Sequence, residues 1–450
     1  MTSLFATSAL TADGWRANVR LALAGGVIVG CDCDVMPTPA DECHGVLLPG
    51  MPNLHSHAFQ RGMAGLTEVR GDLPDSFWTW RETMYRFALA MTPDQLQAIA
   101  AELYVEMLEA GFTRVGEFHY LHHAPDGRCY SDIAEMASRI AAAAAETGIG
   151  LTLLPTFYAH GNFAGAAPND GQRRFVNDLD AFERLLVGSR RHVSGLEDAI
   201  VGVAPHSLRA VTSDELVGLQ SLAPTAPLHI HAAEQVKEVD DCLAWSGRRP
   251  VEWLLDNAPV DARWCIIHAT HMTDDETQQL AASGAVAGLC PVTEANLGDG
   301  IFNAAVFLRG GGHFGVGSDS NILIGIPDEL RQLETSQRLR DRARNVLAND
   351  GGSTGEALFQ AAVRGGAQAL GVAEAGIRVG ARADLVSLDL SHAAFAGRTP
   401  VQLLDAWIFT GARAVDCVWV GGRKRVSGGR HMGRDTIARR FGDVMRAFQL

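Results

Sequence analysis

Short apolar runs alternate with amphipathic segments from about residue 47 to about residue 370. A continuous apolar run is typical of a strand buried on both faces, and the amphipathic segments between such runs indicate crossover helices. This alternation predicts parallel strands connected by helices. The predicted strands end near eight residues: His57, His119, Phe157, His206, His231, His268, Cys290 and Asp319.

Helix start signals occur between the predicted strands. The segment from Thr92 to Gln95 places a Thr N-cap before Pro at the first helical position and Gln at the third, and Gly111 ends the apolar period. Similar capping boxes begin at Thr212 and Thr273. Eight such units predict an α/β fold, a closed (β/α)8 barrel of the TIM type. An open doubly wound sheet would gather its functional groups at one switch point, whereas here they are spread over several strands.

The two ends of the chain have a different pattern. Residues 1–46 and 375–432 contain short alternating runs with glycine-rich turns, which are typical of antiparallel strands. We expect them to form one composite β-sandwich domain beside a catalytic barrel over residues 47–374. Residues 433–450 are expected to form a C-terminal helix.

Composition limits the possible partners. The chain has 450 residues, of which 47% are hydrophobic, as in ordinary globular proteins. Its formal net charge is −14 and no Lys/Arg-rich run occurs, which argues against nucleic acid or an anionic membrane as a partner. The start lacks a signal-peptide pattern, and no apolar stretch approaches the ~18 residues of a membrane span. We therefore expect a cytoplasmic protein with a small-molecule substrate.

Candidate metal ligands stand at the ends of three predicted strands. His55 and His57 are two residues apart, so on a strand both imidazoles point to the same side. A lone His-X-His pair can be an ordinary turn, but His231 and Asp319 end two further strands. Nitrogen and carboxylate ligands suit Zn²⁺, which lowers the pKa of a bound water to about 7. The set predicts a divalent metal site that favours zinc, with Fe²⁺ and Mn²⁺ as alternatives.

The scarcity of lysine bears on the number of metal ions. Some barrels of this kind hold two metals bridged by a carbamylated lysine. Only Lys237 and Lys424 occur in this chain, and neither lies at the end of a predicted strand. We therefore predict a single metal.

Two further groups are candidates for proton transfer. Glu234 would lie in the loop after the fifth strand, where a carboxyl can hand a proton to a leaving nitrogen; the alternative is a solvent-facing acid. His268 ends the sixth strand and could bind the substrate or shuttle protons, or it could be a buried structural histidine. The histidines that we assign to a structural role are His229, His271 and His313.

With these residues assembled, the chain resembles the amidohydrolase superfamily, specifically its mononuclear deaminase branch. The likeness covers essentially the whole chain. The stretches that carry it are Leu48–Gly62, Phe77–Tyr85, Gly116–Tyr120, Ala204–Arg209, His231–Gln235 and Cys290–Gly300. Within this branch the chain is most similar to deiminases of histidine degradation. The resemblance implies hydrolysis of N-formimidoyl-L-glutamate to N-formyl-L-glutamate and ammonia, and a homodimer.

The resemblance also implies roles for individual residues. Asp319 would take the proton of the attacking water, Glu234 would protonate the departing nitrogen, and His268 would assist. The substrate carries two carboxylates, which suit the planar guanidinium of arginine, so Arg81 and Arg209 are candidate partners. The alternative is that both are ordinary surface arginines. The further polar contacts implied by the likeness are Gln60, Tyr120 and His206.

Two other functions stay open at this point. A related deaminase could act on a purine, a pyrimidine or another amidine-containing ring, although such pockets favour aromatic stacking and amide contacts over paired arginines. A non-catalytic barrel scaffold would have lost its ligands, whereas all the candidate ligands are present here.

Overall fold

The computed structural model describes residues 2–70, 76–373 and 375–448. The strands are β1 (Thr2–Thr11), β2 (Gly14–Ala24), β3 (Val27–Asp32), β4 (Glu42–Pro49), β5 (Met51–Ser56), β6 (Phe112–His119), β7 (Gly150–Phe157), β8 (Ile200–Val201), β9 (Ala204–Pro205), β10 (Leu228–Ala232), β11 (Trp264–His268), β12 (Val286–Leu289), β13 (His313–Val316), β14 (Leu385–Leu388), β15 (Val415–Val420), β16 (Arg423–Ser427) and β17 (Arg430–His431).

Helices connect most of these strands. The α-helices are α1 (Phe77–Ala90), α2 (Pro93–Glu109), α3 (Glu135–Thr147), α4 (Leu179–Val193), α5 (Ser213–Leu222), α6 (Val236–Ser246), α7 (Pro250–Asn257), α8 (Asp274–Ser283), α9 (Pro291–Leu297), α10 (Ala304–Arg309), α11 (Ile326–Asp341), α12 (Thr354–Ala369), α13 (Pro400–Thr410) and α14 (Arg434–Ala447). The 3-10 helices are Ala58–Met63, Asp170–Gln172 and Ala393–Phe395. In the described parts of the chain, no helix is both long and apolar enough to cross a membrane.

The barrel consists of parallel strands that pair in chain order. One sheet contains β5, β6, β7 and β8, with β9 continuing the fourth strand, and a second sheet contains β10 to β13. Backbone hydrogen bonds join the two sheets on both sides. His57 N donates to Asp319 O (3.1 Å) between the first and last strands, and His229 N donates to Val203 O (3.1 Å) between the fourth and fifth. The predicted (β/α)8 barrel is confirmed, and every predicted strand end lies within three residues of an observed one.

Three helices begin where the capping patterns place them. Helix α2 follows Thr92, whose side chain accepts from Gln95 N (3.3 Å) while the Gln95 side chain accepts from Thr92 N (2.8 Å). The same reciprocal bonds cap α5 at Thr212 and α8 at Thr273. These bonds satisfy backbone N–H groups of the first helical turn that have no partner within the helix. Each helix therefore begins at a defined residue, and the loop before it ends there.

The terminal strands form one eight-stranded sheet in the order β17-β16-β15-β14-β4-β1-β2-β3. Its pairs are antiparallel except for β1 and β4, which are parallel, so the expectation of purely antiparallel strands is wrong at this pair. The sheet folds back on itself, because Ile28 N donates to Ala381 O and Ala383 N donates to Gly26 O, both at 2.9 Å. Its two halves enclose an apolar core that includes buried Trp419.

The chain passes from this sheet into the barrel at Gly50, between β4 and β5. The predicted boundary between residues 46 and 47 falls inside β4, because the apolar run continues through both strands without a polar break. A Cβ at Gly50 would overlap the side chain of Thr113, so only glycine fits this close passage.

Residues 375–432 also contain a helix that the β-domain prediction lacks. Helix α13 packs against α11 and α12 of the barrel and buries Leu404, Trp407 and Ile408. Its capping box, Thr399 with Gln402, is present in the sequence. Helix α14, near the C-terminus, packs against α2.

Helix α12 holds the first and last barrel strands together from outside. A Cβ on Gly365 would overlap the carbonyl oxygen of Phe314 in β13, and one on Gly366 would lie 3.2 Å from Pro52 in β5. Glycine therefore lets the helix lie directly on the two strands that lead to the candidate metal ligands.

Replacing Gly365 with Ala should lower the free energy of unfolding by about 1–3 kcal/mol, the usual cost of overpacking, although alanine favours helices. The matched control is Gly442→Ala in α14, where the new Cβ would meet only the flexible Arg446 side chain at 3.4 Å and should be neutral or stabilising. Urea unfolding midpoints measure both effects. Equal stability of Gly365→Ala and the unsubstituted protein would contradict the close packing.

Candidate metal centre and active site

The four candidate metal ligands meet at the carboxyl-terminal rim of the barrel. All four are buried, and their ligand atoms lie within 4.8 Å of one another. Nε2 of His55 and Nε2 of His57 lie 3.4 and 3.3 Å from Oδ1 of Asp319, and Nε2 of His231 lies 3.1 Å from Nε2 of His55. His55 and His231 are 176 positions apart in the sequence but lie next to each other, because parallel strands end at the same rim.

Two of the three imidazoles are oriented for ligation by their other ring nitrogens. Nδ1 of His57 lies 2.9 Å from the carbonyl oxygen of Phe118, and Nδ1 of His231 lies 2.9 Å from that of His206. An Nδ1–H donated to a carbonyl leaves the Nε2 lone pair facing the centre. Burial lowers the pKa of both rings and lowers that of His55 to about 3. Three neutral nitrogen donors beside a carboxylate fit a divalent cation.

Asp319 is ionised and adopts an uncommon backbone conformation. Burial opposes its ionisation, but the contact with His55, together with the nearby His268 and His57, outweighs burial and lowers its pKa below the usual range. Its φ is 45°, and His268 has a φ of 67°. Left-handed backbone in residues other than glycine costs about 1–3 kcal/mol and is concentrated at functional sites.

Glu234 and His268 lie beside this cluster. Nε2 of His268 is 3.7 Å from Glu234 Oε1 and 3.9 Å from Asp319 Oδ2, and its Nδ1 is 3.4 Å from Glu294 Oε1. Burial raises the pKa of Glu234 to about 7. Burial alone would lower the pKa of His268, but the surrounding carboxylates raise it to about 10. Glu234 is thus able to exchange a proton near neutral pH.

A cavity of about 580 Å³, including its open mouth, lies over the cluster. The predicted site residues that line it are His57, Gln60, Arg81, Tyr120, His206, Arg209, His231, Glu234, His268 and Asp319. The remaining predicted ligand, His55, lies beneath the cavity and is fully buried. The structure therefore brings all the predicted site residues together.

Two arginines give the cavity wall positive charge. Arg209 is only 8% exposed, and its buried Nε has no hydrogen-bond partner among the described residues. Burial opposes its charge, but Glu238 and Glu234 outweigh burial and raise its pKa. Arg81, on α1, stacks over the ring of Trp78 at 4.5 Å. A buried guanidinium with a free N–H is suited to bind an anionic ligand.

The sequence analysis did not identify the other wall of the cavity. It consists of Phe77, Trp80, Met84, Tyr85, Tyr158, Phe175 and Leu297. Gln172 Nε2 donates to the hydroxyl of Tyr158 (2.5 Å) and to that of Tyr85 (3.4 Å). Tyr158 directly follows the predicted end of a strand, which is a signal that could have found it. The others come from loops and helices whose positions depend on tertiary packing.

Neither lysine lies at the cavity. Lys237, on α6, is exposed and pairs with Asp241 at 2.8 Å, and Lys424, on β16, pairs with Glu42 in the terminal sheet. Of the histidines assigned to a structural role, His229 is buried with Nε2 2.8 Å from Ala369 O. The number of metal ions stays a prediction.

The matches to known proteins agree with this geometry. Residues 46–425 match the model of the Amidohydrolase family, so the chain belongs to that family. Residues 1–45 match the model described as "Formimidoylglutamate deiminase HutF, N-terminal domain". The chain is 50% identical over 449 residues to formimidoylglutamate deiminase of Pseudomonas aeruginosa, with 99% of each chain covered. Within the amidohydrolases it therefore belongs with the formimidoylglutamate deiminases, and the resemblance inferred from the sequence is confirmed.

Solved structures show the same architecture. An amidohydrolase from Brucella melitensis is 61% identical, with a TM-score of 0.97 and 99% of each chain covered. An adenosine deaminase from Xanthomonas campestris with bound zinc has a TM-score of 0.80 over 99% of each chain at 23% identity, which shows a shared fold.

Replacing His231 with Gln should sharply reduce the bound divalent metal, measured per chain by mass spectrometry of the purified protein, because an imidazole donor is lost. The matched control is His229→Gln, two residues away on β10, which is also buried but whose Nε2 faces the carbonyl oxygen of Ala369 rather than the cluster. This control should keep its metal. Equal metal content in both variants would contradict the assignment of His231 as a ligand.

Proposed function

We propose that this protein is a cytoplasmic enzyme that hydrolyses N-formimidoyl-L-glutamate to N-formyl-L-glutamate and ammonia, with one bound Zn²⁺. A single cavity carries the proposal, because it joins the buried cluster of metal ligands to Arg81 and Arg209. The metal ligands suit activation of water, and the two arginines suit a substrate with two carboxylates. The 50% identity to the deiminase of Pseudomonas aeruginosa supports this substrate.

A zinc ion held by His55, His57, His231 and Asp319 would supply a water molecule made acidic enough to react at neutral pH. The carboxylate of Asp319 is placed to accept a proton from that water. The water oxygen would bond to the formimidoyl carbon while the double bond from this carbon to the terminal nitrogen becomes single. That carbon–nitrogen bond would then break as the carbonyl group of the product forms. Both protons of the water would pass to the terminal nitrogen by way of Asp319 and Glu234, so that it leaves as ammonia.

Proton delivery to the leaving nitrogen falls to Glu234. Its pKa, raised by burial to about 7, lets it carry a proton at neutral pH and release it without a large energetic cost. His268 lies 3.7 Å from Glu234 and 3.9 Å from Asp319, so as a cation it can stabilise negative charge that develops on the oxygen bonded to the reacting carbon.

The arginines determine which amidine is accepted. Arg209 offers a buried Nε–H without a partner in the described residues, and a substrate carboxylate would satisfy it. Arg81 is held by cation–π contacts with Trp78 and Tyr85, so its guanidinium is already oriented before a ligand binds. The contacts from Gln60, Tyr120 and His206 then complete a polar pocket for the glutamate part.

The direct test measures ammonia release from formimidoylglutamate, guanine and cytosine side by side. We expect turnover of formimidoylglutamate alone, lost when a chelator removes the metal and restored by Zn²⁺. Turnover of guanine or cytosine instead would identify a ring deaminase. A metal-loaded protein that releases ammonia from none of them would favour a non-catalytic scaffold.

Replacing Arg209 with Met should raise KM for formimidoylglutamate about 10- to 100-fold, because a charge-assisted hydrogen bond contributes about 1.5–3 kcal/mol. Zinc content should be unchanged. The matched control is Arg86→Met, on the same helix as Arg81 but exposed and outside the cavity, which should leave KM unchanged. Circular dichroism checks folding. An unchanged KM in folded Arg209→Met would remove this residue from the substrate site.

A further inference from the structure

Three buried polar side chains form a hydrogen-bonded group next to the metal ligands. Asn53 Nδ2 donates to Ser318 Oγ (2.7 Å), Ser318 Oγ donates to Asn321 Oδ1 (2.6 Å), and Ser318 N donates to Asn53 Oδ1 (3.1 Å). Their exposed fractions are 0, 1 and 0%. We call Asn53, Ser318 and Asn321 the interlock.

The interlock joins the chain segments that carry ligands from the first and last barrel strands. Asn53 lies on β5, two residues before the first ligand. Ser318 and Asn321 lie on either side of Asp319, and Asn321 Nδ2 donates to the carbonyl oxygen of His57 (3.0 Å). Side-chain hydrogen bonds thus connect the segment that carries His55 and His57 to the segment that carries Asp319.

The segment around Asp319 needs such restraint. Asp319 and Asn321 both have left-handed backbone, with φ of 45° and 59°, a conformation that is uncommon outside glycine, although Asp and Asn adopt it more readily than other residues. Outer contacts hold the same segment: Arg61 donates to Asn321 O (2.9 Å), and the Thr293 hydroxyl donates to Ser318 O (3.2 Å). The backbone also joins the two strands, because His57 N donates to Asp319 O (3.1 Å) and Asp319 N donates to His55 O (3.0 Å). The interlock adds buried side-chain hydrogen bonds from Asn53 and Asn321 to these backbone bonds.

We propose that the interlock positions Asp319 and His57 for the metal and thereby slows release of the metal. This inference rests on the metal centre proposed above. None of the three side chains lines the substrate cavity, so the interlock acts only through the ligands. Outer partners that orient ligands commonly change metal affinity by about 10- to 100-fold.

The test compares Ser318→Ala with Ser387→Ala. Ser387 is also a buried serine, and its Oγ accepts from Cys417 N (3.0 Å) in the terminal sheet, so both variants lose a hydroxyl of equal size from a buried network. Zinc-loaded protein is mixed with an excess of chelator, and the appearance of the zinc–chelator complex gives the release rate. We expect release from Ser318→Ala to be about 10-fold faster or more, and release from Ser387→Ala to be unchanged.

A second variant, Asn321→Gly, removes the interlock side chain while glycine keeps the left-handed backbone without strain. It should also release zinc faster, with KM for formimidoylglutamate unchanged. Release at the unsubstituted rate in both folded variants, or equal acceleration in Ser387→Ala, would overturn the proposal. If the unsubstituted protein retains zinc but does not hydrolyse formimidoylglutamate, the proposed substrate fails while the release rates still decide the role of the interlock.

Discussion

Closure of the ring of parallel strands is the constraint on which the rest of this structure depends. The hydrogen bond from His57 N to Asp319 O joins the first strand to the last, and it does so at the level where their side chains meet the other ligands. Since parallel strands share one carboxyl-terminal rim, a closed ring turns distant strand ends into one cluster. Gly50 and Gly365 serve the same closure from outside, because their small size lets neighbouring strands and α12 approach closely.

Burial, together with neighbouring charges, determines the protonation states of the groups in the cluster. Water is excluded from His55, so its imidazole stays neutral and keeps a lone pair for a metal. The same exclusion would neutralise Asp319 if it stood alone, but the surrounding imidazoles outweigh that cost and keep the carboxylate ionised. Glu234 has less compensation, and its pKa rises to about 7. One dry pocket therefore holds an ionised acid beside one that can carry a proton, because their neighbours differ.

The sequence predicted what depends on local pattern. The strand ends, the capped helix starts and the set of candidate ligands follow from apolar runs and from residues such as His55 and His231 that stand where those runs end. Features that depend on distant packing were not predicted. Asn53 meets Ser318 across 265 positions, so neither residue alone indicates their pairing. Most of the second cavity wall was missed for the same reason. Tyr158 in that wall and helix α13 were missed although the sequence shows a signal for each, the strand end at Phe157 and the capping box at Thr399.

Two arginines give the cavity wall positive charge, whereas the chain as a whole has a negative net charge. A formal net charge of −14 would repel a substrate with two carboxylates if every charge acted equally. Exposed charges are screened beyond a Debye length of about 8 Å at physiological salt, whereas buried charges act through a medium of lower dielectric. Arg209 is almost fully buried at the cavity, and Arg81 faces it from α1. Over the last few ångströms, the substrate proposed above would therefore meet these two cations rather than the acidic surface.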